Sequence, residues 1–211
     1  MSRYSVSIHF LSEKIEVART YGKIKQGGES MAQSNEMQQW IDEMAKLALP
    51  RWDDLPELDL YMDQVVTLIE RYLKPLLSEN TEKMLTKSMV NNYVKLQLIP
   101  PPIKKQYSRR HLAFLIAITL LKQVVTIKEI KQGIENQANI SGEKNAYNYL
   151  IEEQEKAIHA VAASLNTNEN IVVDFKDVKK SQLALIMVAM AFAGKIATEK
   201  IVAIQGRMKD E

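Results

Sequence analysis

A chain of 211 residues that is 46% hydrophobic and 26% charged holds enough apolar material for one or two small domains. Its 7 glycines and 6 prolines are few for that length, and the abundance of Leu, Ala, Lys, Glu, Gln and Met predicts a mainly helical, all-α fold. Cysteine is absent, which excludes a disulfide framework and a thiolate metal site, and the net charge of +2 is uninformative until its distribution is read.

Residues 1–30 show no helical period and no continuous apolar stretch of signal-peptide type. They end in Gln26-Gly27-Gly28-Glu29-Ser30-Met31, where Gln-Gly-Gly codons can form a purine-rich ribosome-binding tract ahead of a Met codon. Residues 1–35 are therefore expected to be a disordered tail or an extension preceding a start at Met31.

Apolar residues at Met37, Trp40, Ile41, Met44, Leu47 and Ala48 then predict a helix over 36–48, stopped by Pro50. A polar loop leads to a second helix over 59–73, with Leu60, Tyr61, Val65, Leu68, Ile69 and Tyr72 on one side and Pro75 at its end. Thr86 is an N-cap for a short helix over 86–96, whose apolar residues Met89, Val90, Tyr93 and Val94 leave Lys87, Ser88, Asn91, Asn92 and Lys95 on the exposed side. Pro100, Pro101 and Pro102 forbid its continuation, so 97–107 is a proline-stiffened loop carrying Lys104, Lys105 and Gln106.

Ser108 begins a helix through the apolar run Leu112 to Leu121, and Thr126-Ile127-Lys128-Glu129 is a capping box for another, ending near Gly133 to Asn136. Residues 136–142 resemble a domain junction. Two further helices are expected over 143–165 and 177–205, separated by the extended piece Ile171-Val172-Val173-Asp174-Phe175. The run Leu183 to Ala193 is apolar all round, which suits a central or subunit-shared helix, and its eleven residues fall short of the roughly 20 of a membrane span.

Charge changes sign along this order. Residues 40–80 hold nine acids and four bases, whereas 81–110 hold seven bases and one acid, including Arg109 and Arg110 at the start of the following helix. An acidic back and a basic front would orient a domain towards a polyanion. The residue types on the short helix suit base edges, since Asn can bond adenine through two hydrogen bonds and Ser or Thr can reach bases or phosphates. Flanking lysines suit phosphates, which set affinity and register.

The segments Thr86 to Lys95, Leu98-Ile99-Pro100-Pro101, Gln106-Tyr107-Ser108 and Thr126-Ile127-Lys128-Glu129-Ile130 are similar to the MerR-type head, over about residues 58–135. Within that group the chain resembles an uncharacterised branch from Gram-positive bacteria, a domain of unknown function with MerR-like character. The resemblance implies a winged helix-turn-helix head with a short wing. It would set Thr86, Lys87, Ser88, Asn91, Asn92 and Lys95 at DNA, with Tyr93 near the backbone, and would put Lys104, Lys105, Gln106 and Tyr107 in the wing beside Arg109 and Arg110. Two features depart from it: Gln106 stands where the wing has Arg, and 74–85 replaces a tight turn. The C-terminal helices are also compact rather than one long coiled coil.

The expectation is a cytoplasmic, non-enzymatic transcriptional regulator. It would comprise a tail (1–35), a DNA-binding head (36–135) and a C-terminal helical module (140–211) that forms a homodimer. Double-stranded DNA is the expected partner, with no membrane and no identified effector. The alternative is an interaction adaptor that keeps the winged shape without DNA affinity. His9, His111 and His159 are far apart, no Gly-rich phosphate loop occurs, and Glu152-Glu153-Gln154-Glu155 reads as an exposed face, so no metal, cofactor or catalytic residue is expected. His111 is expected near phosphate or solvent.

Overall fold

In a computed structural model the chain is described over residues 28–77, 83–167 and 178–207. Most of it is helical: α1 (Gly28–Ala45), α2 (Met62–Leu73), α3 (Lys87–Lys95), α4 (Arg109–Leu121), α5 (Ile127–Ser141), α6 (Glu143–Thr167) and α7 (Lys180–Arg207). The short strands β1 (Leu60–Tyr61) and β2 (Gln106–Tyr107) pair antiparallel, Leu60 with Tyr107 and Tyr61 with Gln106. Residues 1–27 of the expected tail, His9 and the extended piece 171–175 lie outside the described residues, whereas 28–35 of that tail are not disordered but form the first turns of α1.

Local chemistry sets the helix ends. At α3 the Thr86 hydroxyl accepts from the Met89 amide at 3.2 Å, as an N-cap requires. Its other end is a Schellman motif, with the Leu98 amide bonded to the Tyr93 carbonyl at 2.9 Å and the Gln97 amide to the Val94 carbonyl at 3.0 Å. Gln97 occupies the left-handed position of that motif with φ 55°, where glycine is the usual residue. Thr126 and Glu129 form the expected capping box at α5, the Thr126 amide donating to the carboxylate at 2.7 Å.

Several expected boundaries shift. The helix expected over 59–73 begins at Met62, because Leu60 and Tyr61 pair with Tyr107 and Gln106 as β1, which leaves Tyr61 exposed. α5 does not stop near Gly133 but continues to Ser141, and Gly142 (φ 77°) makes the break before α6. An interior glycine costs a helix only about 1 kcal/mol, which the burial of Ile130 and the packing of α5 on α6 offset. α1 begins at Gly28, eight residues before the expected start of its apolar period, and ends at Ala45.

One hydrophobic cluster joins the elements. Val65, Ile69 and Leu73 of α2 meet Val90 and Tyr93 of α3 and Leu112, Leu115 and Ile116 of α4, all buried. The longer helices α6 and α7 pack along each other, and α1 lies against both. Residues from the N-terminal part therefore belong to the C-terminal layer. Polar bonds reinforce this: Lys200 and Arg207 of α7 reach Glu36 of α1 at 2.6 Å and 2.8 Å, the Leu47 carbonyl bonds His159 at 3.0 Å, and Tyr147 donates to the Pro50 carbonyl at 2.9 Å. The Glu152–Glu155 stretch is only partly an exposed face. Gln154 is buried and bonds the Ala189 carbonyl at 3.3 Å, and Glu155 accepts from the Leu49 amide at 2.6 Å and from Arg51 at 2.5 Å.

The run Leu183 to Ala193 of α7 is apolar all round in sequence, but the helix is buried on one side. Ile186, Ala189, Phe192, Ala193 and Ile196 face inwards, while Met187 and Val202 are exposed. The eleven-residue run belongs to a helix of 28 residues, which contains an 18-residue window of mean hydropathy 1.5, 28% of it buried. By length and composition alone that helix is able to cross a membrane.

Candidate nucleic-acid interface

α3 places its side chains as its spacing requires. Val90 and Tyr93 are buried against α2 and α4, Met89 and Val94 are half-buried, and Lys87, Ser88, Asn91, Asn92 and Lys95 are exposed. Thr86 is half-buried with its hydroxyl engaged by the cap. Tyr93 is 2% exposed and belongs to the core, and burial pushes its phenol pKa up. Its hydroxyl has no hydrogen-bond partner.

The loop after α3 closes as a hairpin. Ile103 and Gln106 exchange both backbone hydrogen bonds, at 3.1 and 2.9 Å, around Lys104 and Lys105. Both lysines have positive φ, 50° and 66°, the backbone of a type I′ turn normally filled by Asn and Gly. A non-glycine residue in that region costs roughly 1–2 kcal/mol. The tip thus holds two exposed lysines in a strained turn, and strain of this kind clusters at functional positions. Among the described residues neither lysine, nor Lys95, makes an ion pair.

The hairpin base is held rigidly. Tyr107 is buried and meets His111 edge-on, with ring centroids 5.4 Å apart. His111 is not near solvent as expected: it is 5% exposed, and its Nδ1 accepts from the Ser108 amide at 3.0 Å. It does for α4 what a glutamate does in a capping box. Desolvation lowers its pKa, opposed by the Pro100 and Pro101 carbonyls. Tyr107 is accordingly a packing residue of the hairpin base, while Gln106 is half-buried in β2.

The remaining cations are occupied. Lys87 pairs with Asp63 in the first turn of α2, two residues beyond the strand position that pairs with Gln106. Both partners are largely exposed, so the pair is worth at most about 1 kcal/mol and a phosphate can displace it. Arg109 is only 20% exposed; it donates to the Leu55 carbonyl at 3.0 Å and pairs with Glu57 at 3.2 Å. Arg110 lies over the Phe114 ring at 5.4 Å and binds Glu143 through two hydrogen bonds. Both arginines serve internal contacts here rather than an open basic front. Sequence reasoning missed their partners because Leu55 and Glu143 lie 54 and 33 residues away. The His111 cap was readable in Ser108-x-x-His111, a capping-box spacing with an imidazole as acceptor.

Among the described residues no group of three or more His, Asp or Glu side chains is placed to hold a metal.

These features define a helical domain with a small lysine-tipped hairpin beside an amide-bearing helix. Residues 50–154 match the model of a family described as a domain of unknown function, DUF1836. No curated protein and no solved structure gives a match to the chain.

Proposed function

We propose that the protein is a sequence-specific DNA-binding transcriptional regulator with a MerR-like winged helix-turn-helix head. In this reading α3 enters the major groove, Asn91 and Asn92 read base edges, and Ser88, Lys87 and Lys95 flank them at bases and phosphates. Lys104 and Lys105 grip phosphate from the hairpin tip. The observation that supports it best is the coexistence of the exposed polar face of α3 with the strained lysine pair at 104 and 105. The exposed side of α7 would join two copies, giving the paired heads that two half-sites need, and the protein would act in the cytoplasm without catalysis of its own.

The engagement of Arg109 and Arg110 favours a second reading, an adaptor that keeps the shape and has lost DNA affinity. Selection of fragments from the host genome, followed by anisotropy at 50 and 200 mM salt, separates the two. The regulator binds selected fragments at low salt and weakens steeply, with log K falling by about 0.9 per phosphate contact for each decade of salt. Absence of binding at 50 mM salt supports the adaptor.

A further inference from the structure

A chamber of about 330 Å³ lies where α4 and α5 meet α6 and α7. Ala117, Leu121, Ile130 and Ile134 form one wall, and Ala146, Leu150, Leu185 and Val188 the other. Trp52, Phe114 and Tyr147 contribute aromatic surface, Trp52 and Tyr147 meeting edge-on at 6.2 Å. Polar bridges mark the rim. Gln137 of α5 donates to the Ser181 carbonyl of α7 at 2.7 Å, and Arg110 holds Glu143.

Uncovered apolar surface of this kind marks binding sites on folded proteins. Here it stays uncovered where covering it is easy. Gly133 lines it, and a Cβ added there would meet no atom within 4 Å. Gly133 and Ala184 are exposed, so the chamber opens to solvent. Its volume falls within the range of small-molecule sites, and is about twice the roughly 150 Å³ of an apolar cavity that takes one benzene. The charged residues of the lining are Glu129 and Glu143, the latter already paired with Arg110 at the rim, which leaves no unpaired base in the lining. That pattern disfavours an anion.

We propose that this chamber is a binding site for a small uncharged aromatic molecule of two or three rings, held by apolar contact between α4–α5 and α6–α7. The site does not rest on DNA binding and its test contains no DNA, but Ala184 stands on the exposed side of α7 that the proposed dimer would use, so the test also reads the oligomeric state.

The full chain is titrated with N-phenyl-1-naphthylamine, which is neutral and fluoresces in apolar surroundings, and with 1-anilinonaphthalene-8-sulfonate, which has the same rings and a negative charge. Saturable binding of one neutral probe per chain is expected, at least tenfold tighter than that of the sulfonate. Gly133→Leu fills the chamber with a better helix former, so circular dichroism remains that of the parent while probe affinity drops at least tenfold. Ala184→Trp, from the opposite wall, has the same effect. Non-saturable fluorescence, equal affinity for the two probes, or unchanged binding by both variants overturns the proposal. It is also overturned if the parent is a dimer that excludes the probe and Gly133→Leu makes it monomeric, because a second copy then fills the chamber.

Discussion

Arg110 and Glu143 tie the start of α4 to the start of α6 through two parallel hydrogen bonds, Nε to Oε2 at 2.7 Å and Nη2 to Oε1 at 2.5 Å. The carboxylate raises the guanidinium's already high pKa, so Arg110 stays charged. Its role is to join layers. Because both side chains are partly exposed, Glu143→Gln should cost no more than about 1 kcal/mol. For a chain of this size that lowers the melting temperature by about 2–4 °C in a thermal scan. In DNA titrations Arg110→Ala should leave the salt slope of the parent unchanged, and a fall of a full unit would assign Arg110 to phosphate after all.

The hairpin tip separates stability from affinity. Lys104→Asn with Lys105→Gly gives the turn the residues its dihedrals favour and should raise stability by about 1 kcal/mol. The same double variant should bind DNA more weakly and reduce the salt slope by about 2, one for each lost phosphate contact. Urea denaturation and anisotropy measure the two effects independently.

Gln97→Gly relieves the left-handed residue that ends α3. The expected gain is about 1 kcal/mol less the entropy that glycine restores to the unfolded chain, seen as a higher urea midpoint at unchanged m. A lower midpoint would show that the Gln97 side chain contributes a contact beyond the cap.

His111 makes stability depend on pH. Its folded pKa lies below the ordinary 6.5, chiefly through desolvation, with the Arg110 charge acting in the same direction and Asp59 against it. The unfolded chain therefore takes up the proton first. Stability is full above pH 6.5 and falls as pH drops from there towards the lower folded value. His111→Gln keeps an acceptor for the Ser108 amide and should flatten the urea midpoint between pH 7 and 5. A profile as steep as the parent's would move the dependence to another group.

Asn91→Ala and Asn92→Ala test recognition rather than attraction. A residue that reads a base loses about 1–3 kcal/mol of discrimination on truncation and leaves the salt slope alone. Competition between a selected fragment and a scrambled one measures it. Equal losses on both fragments would mean that the amides do not read sequence.

Much of the α3 region was readable because its determinants are local. Met89, Val90, Tyr93 and Val94 repeat at helical spacing, Thr86 caps and three prolines set a limit that the helix stops short of, so the exposed set from Lys87 to Lys95 follows from geometry alone. The roles of Arg109 and Arg110 were hidden, since a basic residue looks the same in sequence whether it faces solvent or a distant carboxylate. The turn at Lys104-Lys105 was hidden too, because nothing in two lysines announces positive φ. Gly133 misled for a different reason: it reads as a helix stop but lines a chamber inside α5.

The placement of α1 bears on the order of assembly. Its partners α6 and α7 are made more than a hundred residues later. At synthesis rates of about 5–20 residues per second, α1 waits for several seconds with Ile41, Met44 and Leu47 uncovered while α2 to α5 can already fold together. A nascent chain arrested before α6 should therefore expose the apolar face of α1 at its leading end, and that face is the natural place for a chaperone to hold.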